Sequence, residues 1–170
     1  GFSFDIIRNN PMDPRSLSGD DVVSLLEDDS GILWVGVYAD GLNKLNPRAR
    51  AFGLYAHKQG DPHSLSGNEI SAITVDRTGI LWVGTRNSGL NRIDRAKNAY
   101  SVYANDPADP DSLSQNEITC LLADSKGRLW AGTADNGLNL LDPQTGKWKH
   151  FRYDPDNPQS LSQDKIWWIF

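Results

Sequence analysis

Six residues carry the side chains best suited to recognising a small molecule: Tyr38 and Asp40, Arg86 and Asn87, Asp135 and Asn136. They offer an aromatic face, a guanidinium, carboxylates and amides. Flat apolar faces stack against a ring, and fixed polar groups orient it, so this mixture suits a sugar or another small polar ligand. Arg86 could instead pair with Asp40 or Asp135, which would leave these segments as ordinary solvated loops. No arrangement for catalysis stands out. His57, His63 and His150 fall in unrelated positions, and no His-x-x-His spacing suggests a metal site. No cofactor motif is present. Cys120 is the single cysteine, so no internal disulfide can form, and it reads as an inert core filler. A glycoside hydrolase or lyase would need two non-repeated carboxylates facing one cleft, and nothing singles out such a pair.

The elements that hold these six residues are set by a repeat. Ser-Leu-Ser occurs at 16–18, 64–66, 112–114 and 160–162; Leu-Trp at 33–34, 81–82 and 129–130; Gly-Leu-Asn at 41–43, 89–91 and 137–139. All three spacings are 48 residues, without an insertion. Each repeat reads as four short strands. The first is Val22–Glu27, matched by Ile70–Val75 and Ile118–Ala123. A turn follows, from Asp28, Asp76 or Asp124 to Gly31, Gly79 or Gly127; the aspartate accepts a backbone hydrogen bond and the glycine supplies a positive φ. The second strand, Ile32–Val37 and its equivalents, is nearly all apolar, as expected of burial on both faces. The third starts at Gly41, Gly89 and Gly137, and the fourth carries an aromatic such as Phe52, Tyr100 or Trp148.

Four strands per 40–50 residues is the period of a β-propeller blade. One sheet cannot bury both faces alone, so blades stack and enclose Trp34, Trp82 and Trp130 between them. The expected fold is all-β, an open arc of three full blades at about 20–67, 68–115 and 116–163. Residues 1–19 would hold the outer strand and loop of a preceding blade, and 164–170 the inner strand of a following one. Ser24, Ala72 and Cys120 are small, as a crowded strand near the axis requires; Trp168 breaks that register and could plug the channel or cover an exposed end. Propellers usually have four to eight blades, so the missing ones belong to a longer chain or to a second copy. Leu17, Leu65, Leu113 and Leu161 would anchor the inter-blade loops, and Asn43, Asn91 and Asn139 would bond loop backbone. The six candidate ligand residues lie in the loops between second and third strands, where repeats differ.

Composition narrows the partners. The net charge is −5 and Lys and Arg are scattered, so a nucleic-acid partner is not expected. No apolar run is long enough to span a membrane, so this segment is not expected to insert in one.

Residues 105–114, Asn-Asp-Pro-Ala-Asp-Pro-Asp-Ser-Leu-Ser, are followed by Asn116-Glu117-Ile118, then by Asp-x-x-Gly-x-Leu-Trp-x-Gly-Thr and Gly-Leu-Asn. This pattern resembles the two-component regulator propeller repeat. WD repeats fit worse, because their Gly-His and Trp-Asp marks are absent; the turns of quinone-binding propellers and the sialidase Asp-box each match one repeat only. The resemblance implies the extracytoplasmic, periplasmic sensor part of a bacterial receptor, with a kinase or cyclase output elsewhere in the protein and oligosaccharides among the ligands. Two other readings stay open: an assembly module that dimerises a receptor without a ligand of its own, and a propeller lyase or hydrolase.

Overall fold

The computed structural model describes residues 5–46 and 51–170. Its twelve strands form three four-stranded antiparallel sheets, and no helix occurs among the described residues. The first sheet is β1 (Val22–Glu27), β2 (Leu33–Val37), β3 (Gly41–Asn46) and β4 (Ala51–Tyr55). The second is β5 (Ile70–Val75), β6 (Leu81–Thr85), β7 (Leu90–Asp94) and β8 (Ala99–Tyr103). The third is β9 (Ile118–Ala123), β10 (Leu129–Thr133), β11 (Leu138–Leu141) and β12 (Trp148–Phe151). Strand order within each sheet follows the sequence, which is the meander of a propeller blade, and the arc is open.

Each β1-type turn is built by one aspartate. Asp28 Oδ1 accepts from the N–H groups of Ser30 and Ile32 at 3.0 and 3.1 Å, and Gly31 takes φ +74°. Its second oxygen accepts from the indole of Trp34 at 3.0 Å. Asp76 and Asp124 hold Trp82 and Trp130 in the same way, at 2.9 and 3.0 Å. Each of these three indole N–H groups therefore has a charged partner, which for Trp34 and Trp82 removes the cost of burying it unpaired. Sequence spacing identified these aspartates as turn formers; their link to the tryptophan six residues on appears only in the fold.

Blades interlock through one glycine per central strand. The first residue of each inner strand inserts over the glycine of the preceding blade's second strand: Ile70 over Gly36, Ile118 over Gly84, Ile166 over Gly132. A Cβ on Gly84 would lie 2.7 Å from Ile118 Cγ2 and 3.4 Å from Ala72 Cβ. Ala72 is the ladder partner of Gly84, and Cys120 that of Gly132. The small residues of the inner strands are thus small because they lie beside this close approach, and not only because the axis is crowded.

The inter-blade loops are pinned as the repeat implied. Leu17, Leu65 and Leu113 are buried. Asn43, Asn91 and Asn139 are almost fully buried, and their Oδ1 atoms accept from the N–H groups of Ser18, Ser66 and Ser114 at 3.0, 2.8 and 2.9 Å. Each loop also closes onto the preceding blade: Gly41, Gly89 and Gly137 donate to the carbonyls of Asn68, Asn116 and Asp164 at 3.1, 3.0 and 2.8 Å.

Two expectations about the flanks need adjusting. The outer strand expected ahead of the first blade centres on Phe4, outside the described residues; residues 5–8 form no strand. Segment 164–170 follows the inner-strand path but forms no ladder, because no described strand lies beside it as a second strand. It is held instead by Ile166, whose N–H donates to the Thr133 carbonyl at 3.1 Å. Trp168 lines the axial groove without filling it; it is 85% exposed.

Candidate functional site

The inner strands β1, β5 and β9 run side by side around the inside of the arc. Side chains alternate along a strand, so every second residue faces the axis. Val23 and Leu25, Ser71 and Ile73, Thr119 and Leu121, with Trp167 and Ile169 beyond, line a groove of about 720 Å³. Its wall mixes apolar side chains with the hydroxyls of Ser71 and Thr119 and is open to solvent: Val23 is 44% and Leu25 60% exposed. At one end stand Tyr38, Arg86 and Glu117.

That end is positioned by a repeated backbone bond. The residue after each second strand donates to the residue before each first strand: Tyr38 to the Asp21 carbonyl at 2.9 Å, Arg86 to that of Glu69 at 3.0 Å, Ala134 to that of Glu117 at 3.2 Å. The side chains at 38 and 86 are thereby brought to the axis. The Arg86 guanidinium lies over the Tyr38 ring, 5.8 Å from its centroid. Among the described residues no carboxylate is within ion-pair distance of Arg86, so the suggested pairings with Asp40 and Asp135 do not form. Asp135 instead meets Lys165 at 3.6 Å, and its N–H donates to Gln115 Oε1 at 3.0 Å.

Of the six candidate residues, the fold brings two, Tyr38 and Arg86, to the groove. Asn87 lies in a separate recess of about 250 Å³ with Ser88 and Glu69, and donates to Glu69 Oε2 at 2.9 Å. Asn136 builds its own loop: its N–H donates to the Thr133 hydroxyl at 3.2 Å, and its carbonyl accepts from the Ser114 hydroxyl at 3.1 Å. Asp40 is exposed beside Gly19, away from the groove lining. Loop position places these residues on one face of the arc but does not say which side chains turn inward.

Sequence reasoning missed Ser71, Thr119, Glu117 and Trp167 in the groove. A signal was available. Val23, Ser71, Thr119 and Trp167 occupy one register of the repeat yet change from aliphatic to hydroxyl to indole, although the first three lie within strands. The Ser71 hydroxyl is buried without a hydrogen-bond partner. Cys120 also touches the groove, but burial pushes its thiol pKa up, which keeps it protonated and unreactive at neutral pH. Among the described residues no group of three or more His, Cys, Asp or Glu side chains could hold a metal ion.

Four-stranded meanders stacked around an axis, each locked by a glycine and carrying a tryptophan hydrogen-bonded to its turn aspartate, are the blades of a β-propeller. The family model described as two component regulator propeller matches three times, at residues 16–39, 64–87 and 112–135. Each of the three blades thus carries a segment that matches this family's repeat. Among solved structures, the extracellular domain of a hybrid two component system from B. thetaiotaomicron is similar at 30% identity, with a TM-score of 0.76 over 89% of this chain and 20% of that one. A second such domain from B. thetaiotaomicron is 24% identical, with a TM-score of 0.73 over 92% of this chain and 20% of that one. Virginiamycin B lyase from Staphylococcus aureus is 17% identical, with a TM-score of 0.60 over 79% of this chain and 42% of that one, a likeness of fold alone. The chain thus spans about a fifth of the length of the two extracellular domains. No curated protein matches the sequence. No helix among the described residues is long and apolar enough to cross a membrane.

Proposed function

We propose that this chain is part of the extracytoplasmic sensor of a bacterial two-component receptor, and that it recognises a small polar ligand at the axial end of its groove. Tyr38 and Arg86 carry this reading. They come from different blades, do not recur in the other repeats, and place an aromatic face and a guanidinium without a carboxylate partner beside a groove lined by both apolar and hydroxyl side chains. Arg86 would take a carboxylate or hydroxyl groups of the ligand, and Tyr38 or Trp167 a ring face. An oligosaccharide or a small organic acid has this chemistry. The likeness to extracellular domains of hybrid two component systems supports a periplasmic, sensory setting. Binding would bias the arrangement of blades, and an output domain elsewhere in the protein would respond; the propeller itself performs no reaction in this reading.

Calorimetric titration with a panel of oligosaccharides and small carboxylic acids tests the proposal. Arg86→Ala and Tyr38→Ala should each weaken a binder about tenfold, equivalent to about 1.4 kcal/mol, with no change in melting temperature. A panel without a binder, or a binder indifferent to both substitutions, would sink it.

The exposed apolar side chains of the axial wall, including Val23 and Leu25, favour a second reading, that of an assembly module completed by further blades or by a second copy. Sedimentation that depends on protein concentration and ignores Arg86→Ala would support that alternative.

A further inference from the structure

A second cleft lies on the outer rim, between the loop that leaves the first blade and the outer strand of the second. It has a volume of about 490 Å³ and is lined by Tyr55, His57, Lys58, Asp61, His63 and Tyr100, among others. The repeat supplies a reference for this loop at three other places. In those three, the turn is Asn10-Pro11-Met12-Asp13, Asp106-Pro107-Ala108-Asp109 and Asp154-Pro155-Asp156-Asn157. The first side chain always caps the turn: Asn10, Asp106 and Asp154 accept from the N–H two residues on, at 3.1, 2.9 and 3.0 Å. Here the turn is Lys58-Gln59-Gly60-Asp61. Lysine has no acceptor, so that cap is lost. The closing bond from Asp61 N–H to the Lys58 carbonyl persists at 3.1 Å, but the turn is now made by Gly60 at φ +78°. Proline has gone and a positive-φ glycine has arrived, which is the exchange of one turn type for another. The backbone path is kept while an acceptor is replaced by a cation.

The neighbouring changes have the same sense. At the position of Asn9 and Asn105, whose amides donate to the carbonyls of Leu17 and Leu113, His57 uses Nδ1 on the Leu65 carbonyl at 2.7 Å. The loop's structural need is met by that one nitrogen, and Nε2 has no partner among the described residues. At the next blade boundary Asp111 pairs with Lys147 at 2.6 Å. The equivalent of Asp111 here is His63, whose ring stands edge-to-face with Tyr100 at 5.8 Å. No carboxylate among the described residues is within ion-pair distance of Lys58. Asp61 is the one acid in the cleft lining, and its Oδ1 is engaged by the His63 N–H at 2.9 Å.

We infer that this rim cleft is a binding site for a small organic anion, with the carboxylate or sulfate group at Lys58 and His57 and a ring-shaped body against Tyr55 and Tyr100. The site is separate from the axial groove and stands whether or not that groove binds a ligand.

The test is a chemical-shift titration of the 170-residue chain with glucuronate, with glucose as the neutral counterpart and sodium sulfate as the bare anion. Glucuronate should bind with a Kd on the order of 1 mM, shift the amides of His57 to Ser64 and the Tyr100 ring, and be displaced by sulfate; glucose should shift none of these. Lys58→Ala should weaken glucuronate at least about fivefold. The triple change Lys58→Asp, Gln59→Pro and Gly60→Ala rebuilds the turn of the other three loops; it should melt no lower than the parent and lose the glucuronate shifts. Arg86→Ala should leave them unchanged, which separates this site from the axial one. Equal response to glucose and glucuronate, or an unchanged Kd in Lys58→Ala, would overturn the inference, as would the absence of any shift in the loop.

Discussion

Replacing Gly84 by alanine adds a single methyl group, and the arrangement of blades sets its cost. The new Cβ would stand 2.7 Å from Ile118 Cγ2, 2.9 Å from Ile118 Cβ and 3.4 Å from Ala72 Cβ. Ordinary carbon contacts begin near 3.5 Å, so a relief of roughly 0.8 Å is needed. Neither neighbour can supply it by rotation. Ala72 has no rotamer, and the second offending atom of Ile118 is its own Cβ, fixed to the backbone of the next blade. Ile118 is fully buried, so the blades themselves must separate. Overpacking of this kind costs about 1–3 kcal/mol. Taking about 2 kcal/mol, the melting temperature should fall by about 4–8 °C for a chain of this size. Gly53, on the outer strand β4, is the control. A Cβ there meets nothing within 4 Å, and its φ is not positive. Gly53→Ala should therefore leave stability unchanged or raise it by about 0.4–1 kcal/mol through the unfolded chain. Thermal melts followed by tryptophan fluorescence, with urea unfolding as a second measure, read both variants. If the two alanines behave alike, the interlock does not hold the blades together as argued.

Further expectations concern the aspartate–tryptophan turns. Arg95 has no counterpart in the repeat, where Pro47 and Pro143 occupy its register. It reaches from the second blade to Asp28 of the first at 2.8 Å and lies 5.2 Å from the centre of the Trp34 ring. Arg95→Ala leaves the buried Asp28 with its other donors but no cation, and should cost about 1–3 kcal/mol in urea unfolding; a loss below about 0.3 kcal/mol would show the clasp to be inert. For Asp76, burial opposes ionisation, but hydrogen bonds from Thr78, Trp82 and Ile80 outweigh it and hold the carboxyl below its ordinary range. A carboxyl depressed in the folded state stabilises above its unfolded pKa, near 3.9, and loses that contribution as pH falls through the folded value. Stability should thus drop on acidification below about pH 4, and less steeply in Asp76→Asn, which starts from a lower value at pH 7. Parallel acid limbs in the two proteins would refute the assignment.

Most of the fold was legible because the repeat is strict. Asp28, Gly31, Trp34, Gly41 and Asn43 recur at a fixed interval, and each is a residue type whose backbone or burial preference is strong. Their strands and turns follow from local chemistry. The site was less legible. Tyr38, Arg86, Asn87 and Asp135 all looked alike as variable loop residues, yet only the first two turn to the axis, while Asn87 is drawn aside by Glu69 and Asp135 by Lys165. Loop position says where a backbone goes; side-chain direction depends on partners from other blades.

The sequence by itself determined a blade of four strands, the number of whole blades, the turns and the loop anchors, since these rest on contacts between near neighbours in the chain. Only the tertiary structure decided how blades meet. Ile118 over Gly84, Arg95 on Asp28, and the axial register of Val23, Ser71, Thr119 and Trp167 join residues from separate repeats. A period records that such units stack, but the angle and depth of stacking come from packing between surfaces, which no single repeat contains.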